Sequence, residues 1–212
     1  VRFLDNVIDR NKYPLKQIET ITKENRKIGL GVMGFADLLY KLETPYNSEK
    51  AVDIAEQLMK SISQYADEAS ISLAEERGTF ANWNKSIYVK ENKRLRNATR
   101  TTIAPTGTIS LIADASSGIE PIFAIAYSRK AMDNYILEYF HPYCREVLSK
   151  LPGFSDEILK KIEETGSLKN IEGIPQNFQE IFVTAHEIDP IWHVRIQAAF
   201  QKYTDNAVSK TI

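Results

Sequence analysis

The stretch Asn97-Ala98-Thr99-Arg100-Thr101-Thr102-Ile103-Ala104-Pro105-Thr106-Gly107-Thr108-Ile109-Ser110 constrains the fold of this chain more than any other. The β-branched run Thr101-Thr102-Ile103 suits an extended strand. Pro105 ends it, and threonines, a glycine and a serine then lead into an apolar run. That is the order strand, tight turn, helix N-terminus. Such a turn aims free backbone N–H groups, hydroxyls and the positive end of a helix dipole at one point, and the ligand suited to that point is a phosphate. The turn lacks the lysine of a Walker loop and is not a standard NTPase motif. An ordinary strand-to-helix turn with a threonine cap is the other reading.

Helical periodicity dominates the rest. Residues 15–26 read as a helix with Leu15, Ile18 and Ile21 aligned, and residues 35–42 as a second, ended by Thr44-Pro45. Asn47 or Ser48 caps a long helix reaching Arg77, and Gly78 stops it. The pattern predicts a loop over 80–89, a strand over 101–103, a short helix over 110–113, a polar turn over 115–118, a strand over 122–127 and a helix over 135–148. Ser155 caps a helix to Glu164, residues 178–185 read either way, and Asp189-Pro190 opens a helix to about Tyr203. Residues 205–212 read as loop into strand. Short strands between helices predict α/β architecture. Val1 begins inside an amphipathic pattern and Ile212 ends on a β-type run, so a piece of a longer polypeptide is expected, a single partial domain over 1–212 with both ends truncated.

Composition narrows the function. With 212 residues, 43% of them hydrophobic, the chain has material for a sizeable core. A net charge of -1 gives no footprint for nucleic acid. No apolar run approaches membrane-spanning length. A lone cysteine, Cys144, excludes a disulfide framework and a cysteine-rich zinc site, and fits a reducing cytoplasm.

Other motifs read more plainly. Gly29-Leu30-Gly31-Val32-Met33-Gly34 has the spacing of a dinucleotide fingerprint, but charged residues rather than a strand precede it, and Asp53 lies inside the long helix. Close approach of backbone to a neighbouring element is the better use for these glycines. Glu120, between Ile119 and Pro121, reads as a structural hydrogen-bond acceptor. His186 and His193 lack a third ligand at metal spacing. Trp192 reads as core packing and Cys144 as a buried, inert thiol.

Four segments together resemble one family. They are Arg26-Lys27-Ile28-Gly29-Leu30-Gly31-Val32-Met33-Gly34-Phe35-Ala36-Asp37, Ile103-Ala104-Pro105-Thr106-Gly107-Thr108-Ile109-Ser110, Ser117-Gly118-Ile119-Glu120-Pro121, and Asp205-Asn206-Ala207-Val208-Ser209-Lys210-Thr211-Ile212. Their order is similar to the C-terminal half of the catalytic domain of ribonucleotide reductases, and the second and fourth are most similar to the adenosylcobalamin-dependent class II enzymes. The resemblance implies a helix-rich fragment of a ten-stranded α/β barrel. It implies that a cysteine thiyl radical abstracts a ribose hydrogen, the 2′-hydroxyl leaves as water, and two cysteines supply the reducing equivalents. It further implies that Pro105, Thr106, Gly107, Thr108, Ile109 and Ser110 hold the substrate's phosphates, with Gly107 permitting close backbone approach. Cys144 matches none of the family's catalytic cysteines, so no catalytic residue is expected in this segment, and the isolated chain is expected to be inactive. The partners implied are a ribonucleotide, leaning to a diphosphate, the remainder of the polypeptide, nucleotide effectors bound upstream, a thioredoxin-type reductant and a second copy in a homodimer. A class I reductase, which takes its radical from a metal-containing subunit, and a non-catalytic phosphate-binding module are the alternatives.

Overall fold

The structure is a computed structural model that describes residues 1–130 and 136–212. In chain order its elements are α1 (Arg2–Arg10), α2 (Lys16–Asn25), α3 (Phe35–Lys41), α4 (Glu49–Arg77) and α5 (Gly107–Ala113), then strands β1 (Ala126–Lys130) and β2 (Ile136–Phe140), then α6 (Pro142–Leu148), α7 (Asp156–Thr165), α8 (Gln176–Ile181) and α9 (Pro190–Gln201). The helix signals read from sequence act as written. Ser48 Oγ accepts from Ala51 N at 3.2 Å and so caps α4, and Gly78 follows it at φ 83°. Ser155 Oγ accepts from Ile158 N at the start of α7, and Asp189 Oδ1 from Ile191 N at the start of α9. Pro190 takes the first helical position, where a missing N–H costs nothing.

The chain forms two compact units, Val1–Val32 with Asp53–Pro105 and Gln197–Ser209, and Met33–Val52 with Thr106–Ile196 and Lys210–Ile212. In the first unit three extended segments lie side by side. Leu30 bridges Thr101, and Ile103 bridges Val208, both in parallel. Leu30 N donates to Arg100 O at 2.7 Å and Thr102 N to Leu30 O at 3.0 Å; Ile103 N donates to Ala207 O and Ser209 N to Ile103 O. The glycines make this pairing sterically feasible: a Cβ on Gly29 would stand 2.4 Å from Thr102 Cγ2, and one on Gly31 2.1 Å from the Thr102 carbonyl oxygen. Close approach, rather than a dinucleotide, is what Gly29 and Gly31 serve.

The first unit also buries a charge network. Asp5 is fully buried and accepts from Arg26 Nε at 2.7 Å, Asn97 Nδ2 at 3.0 Å, Arg77 Nη1 at 3.2 Å and Arg96 Nε at 3.4 Å. Burial pushes the Asp5 carboxyl up, but the surrounding guanidinium groups and Asn97 outweigh it and hold the group below its usual range. By contrast α2 buries nothing; its aligned Leu15, Ile18 and Ile21 face outward.

The second unit has its own core of Tyr40, Ile125, Cys144, Leu148, Ile158, Ile162, Leu168, Ile174 and Phe182. Two expectations are corrected here. The strand placed at 122–127 begins at Ala126, because Ile122 O and Ile125 N bond to Ala185 N and Gly166 O instead of a strand partner. The helix placed at 135–148 is two elements, and its first residue, Tyr135, lies outside the described residues. Residues 136–140 pair antiparallel with β1, Tyr139 directly opposite Tyr127 with ring centroids 4.9 Å apart. Pro142 disfavours helical backbone at His141, so the helix starts only at Pro142, with His141 as its cap.

Candidate functional site

The phosphate-type turn is built from its backbone outward. Beyond Ile103 and the exposed Pro105, Thr106 adopts left-handed backbone at φ 55°, ψ 19°, and α5 starts at Gly107. A β-branched residue rarely enters that region. Here it is held by its own hydroxyl, since Thr106 Oγ1 accepts from Gly118 N at 2.7 Å. The left-handed residue of the turn is therefore Thr106; Gly107 is not among the residues of positive φ. A Cβ on Gly107 would meet nothing within 4 Å, so the space above it is open. The first amides of α5, Gly107 N, Thr108 N and Ile109 N, have no carbonyl one turn earlier in the helix to receive them. The side chains of Thr108 and Ile109 are exposed. Ser110 turns inward: its Oγ lies 3.1 Å from Gly107 O and 2.9 Å from Ser117 Oγ, and its amide donates to Thr106 O. It shapes the turn and does not face outward.

Residues 115–118 brace this turn from behind. Ala115 N donates to Ser110 O, Ser117 meets Ser110, and Gly118 meets Thr106. Ser116 is held by α3: its N donates to Asp37 Oδ2 at 2.6 Å, and its O accepts from Gly34 N at 2.7 Å. The other oxygen, Asp37 Oδ1, lies 2.9 Å from His141 Nε2, and His141 Nδ1 accepts from Cys144 N. The network thus assigns the His141 proton to Nε2. Burial raises the Asp37 carboxyl, but the bonds from His141 and Ser116 offset this and leave it below the ordinary range. A cavity of about 840 Å³ opens beside the brace, lined among others by Asp37, Ser110, Ser117, Tyr127, Tyr139 and His141.

Glu120 is a structural acceptor, as the sequence suggests. Its two oxygens accept from Lys210 Nζ at 2.6 Å and Thr211 N at 2.7 Å. The Lys210 side chain is fully buried and its Nζ also donates to His193 Nδ1 at 2.8 Å. Burial and then the Lys210 charge push His193 below its usual value. Trp192 is half-buried, with the Arg195 guanidinium 4.7 Å over its ring. Cys144 is buried, and burial pushes its thiol well up. Among the described residues no group of three or more His, Cys, Asp or Glu side chains is disposed to hold a metal ion, and no helix is long and apolar enough to cross a membrane. Sequence reasoning missed Asp37, His141 and Lys210. Only His141 carried a local signal, as the residue before a proline.

Residues 1–212 match the model of the ribonucleotide reductase barrel domain, and the chain belongs to that family. It is 53% identical over 211 residues to a vitamin B12-dependent ribonucleoside-diphosphate reductase of Thermoplasma acidophilum, covering 100% of this chain and 27% of that protein. A reductase with the same description from Mycobacterium tuberculosis is 46% identical over 213 residues, covering 100% of this chain and 30% of that protein. The chain thus spans less than a third of the length of these relatives. Among solved structures it is similar to the class Id ribonucleotide reductase alpha subunit of Actinobacillus ureae, with a TM-score of 0.76 and 25% identity over 95% of this chain and 36% of that one. The helix-rich α/β barrel fragment expected from the resemblance stands on these matches.

Proposed function

We propose that the complete polypeptide reduces ribonucleoside diphosphates to deoxyribonucleotides, and that the turn from Pro105 to Ser110 holds the substrate's phosphates. The observation that carries the second part is Thr106. A β-branched residue is locked in left-handed backbone by Gly118 N where α5 begins, the first amides of that helix have no acceptor one turn earlier within it, and the space at a Gly107 Cβ is open. Charge-assisted bonds from such amides to a phosphate are stronger than neutral ones, and Gly107 lets the anion come close. Thr106 and Thr108 add hydroxyls, and Ser110 keeps the turn in shape.

Adenosylcobalamin as radical source, a thioredoxin-type reductant, effectors bound elsewhere on the polypeptide, homodimerisation and a cytoplasmic setting belong to the same proposal. The B12-dependent descriptions at 53% and 46% identity favour this over a class I enzyme; an alpha subunit from Chlamydia muridarum is 34% identical. Among the described residues no group of three or more His, Cys, Asp or Glu side chains is disposed to hold a metal ion. His141 has both ring nitrogens engaged, His193 Nδ1 receives Lys210, and His186 packs edge-on against Phe123. The single cysteine, buried and with a raised pKa, suits neither a radical carrier nor a reducing pair. The test is deoxyribonucleotide formation by the complete polypeptide and by the isolated chain, each with adenosylcobalamin and a dithiol. The complete polypeptide turns over and the isolated chain does not; turnover by the isolated chain overturns the division of labour.

A further inference from the structure

Given the phosphate-binding role proposed for the turn, we infer that Asp37 and His141 are positioning residues that set its geometry through Ser116, Ser117 and Gly118. Those three consecutive residues work as one clamp. Gly118 N fixes the Thr106 hydroxyl, Ser117 Oγ fixes Ser110, and Ser116 N is anchored on Asp37 Oδ2. Behind them His141 Nε2–H holds Asp37 Oδ1 at 2.9 Å, and His141 is itself fixed as the cap of α6 through Cys144 N. The chain of bonds runs from a helix cap to the residue that carries the turn's strain.

The chemistry of the pair is selective. Asp37 must accept on both oxygens, from Ser116 N and from His141 Nε2–H. A carboxylate does this and an amide does not. In an Asp37→Asn protein the amide oxygen accepts from Ser116 N, and the NH2 group then faces the His141 Nε2–H donor. Shifting the imidazole proton to Nδ1 removes the acceptor for Cys144 N. The Asp37→Asn protein therefore keeps the shape of the site and loses one bond whichever way it relaxes. His141→Asn keeps an Nδ1-like acceptor for the α6 cap and gives up the reach to Asp37, so it separates the clamp from the cap.

The experiment uses the complete reductase and compares Asp37→Asn, His141→Asn, Gly107→Val and Ser155→Ala, recording KM and kcat for a ribonucleoside diphosphate and the melting temperature of each. Ser155→Ala removes the α7 cap elsewhere in the same unit and serves as the purely structural comparator. Asp37→Asn and His141→Asn should each raise KM by roughly two- to thirtyfold, the range for residues that act on a site through an intermediary. Turnover at saturation should stay within about twofold, and the double variant should resemble the single ones, because both changes cut one path. Ser155→Ala should lower the melting temperature and leave KM alone. If Gly107→Val raises KM and the Asp37 and His141 variants do not, the clamp is wrong and the phosphate site stands. If Gly107→Val leaves KM unchanged, the phosphate reading falls and the clamp with it. If Ser155→Ala raises KM as much as Asp37→Asn does, the effect is general loosening and the positioning role is overturned. Should Asp37→Asn not accumulate in folded form, His141→Asn alone decides by the same criteria.

Discussion

Gly31→Ala offers a sharp test of the parallel pairing. The new Cβ would stand 2.1 Å from the carbonyl oxygen of Thr102. That is more than about 1 Å inside an ordinary C···O contact. The oxygen belongs to backbone, so no rotamer change relieves the clash and the segments must part. Parting strains Leu30 N to Arg100 O and Thr102 N to Leu30 O. Overpacking of this kind costs about 1–3 kcal/mol, and each weakened bond about 0.5–1.5 kcal/mol. A loss near 3 kcal/mol lowers the melting temperature by about 6–12 °C for a chain of this size. Gly29→Ala is the informative companion, because its Cβ would meet the Thr102 methyl at 2.4 Å, a side-chain atom. Adding Thr102→Ser deletes that methyl, keeps the hydroxyl bond to Ala207 O and should recover most of the Gly29→Ala loss. It should recover none of the Gly31→Ala loss. Urea unfolding followed by the fluorescence of Trp83 and Trp192 reads both. Gly31→Ala as stable as the parent, or Thr102→Ser rescuing both variants equally, refutes the close-approach reasoning.

Asp5→Ala should cost about 1.5–3 kcal/mol, because it removes the buried carboxylate on which Arg26, Arg77, Arg96 and Asn97 converge while Asp9 keeps the Arg26 guanidinium paired; chemical denaturation measures it. His193 has a folded pKa below its ordinary 6.5, so it binds a proton more readily when unfolded. Its contribution is complete above about pH 6.5 and fades as pH falls below that value toward the lower folded pKa. His193→Gln should flatten the stability profile in that window; Lys210 bonds the ring, Tyr46 packs beside it and Glu120 acts on it through its charge. Cys144, fully buried and with its thiol held protonated, should resist iodoacetamide at pH 8 in the folded chain and react once urea unfolds it.

Local signals were legible in the sequence and long-range bonds were not. Ser48, Ser155 and Asp189-Pro190 announced their helices because a cap is written within a few residues. The glycines at 29 and 31 could be assigned to close approach because the charged residues before them excluded a nucleotide strand. The second strand is not legible because residues 136–140 are helix-compatible, and their strand character comes from antiparallel pairing with β1. Leu15, Ile18 and Ile21 gave the right helix, but nothing in their spacing says whether the stripe faces a core. At the turn, hydroxyls and glycine were visible, while the assignment of the left-handed residue to Thr106 depends on Gly118, and the brace depends on Asp37 and His141, 104 residues apart. Such partners leave no trace in local pattern.

The most direct measurement on the central claim is equilibrium binding of a ribonucleoside diphosphate to the complete polypeptide carrying Gly107→Val, with Thr108→Val as the milder partner and melting temperature recorded in parallel. A Cβ on Gly107 meets no atom of another segment within 4 Å, so folding should be little affected while the approach of a phosphate to the amides is blocked. Loss of one or two charge-assisted bonds, about 1.5–3 kcal/mol each, predicts a fall in affinity of roughly tenfold or more for Gly107→Val. Thr108→Val removes one hydroxyl and should show a smaller fall. Undiminished affinity in Gly107→Val contradicts the assignment of this turn to the substrate's phosphates, and a steep loss of melting temperature in both variants makes its role structural.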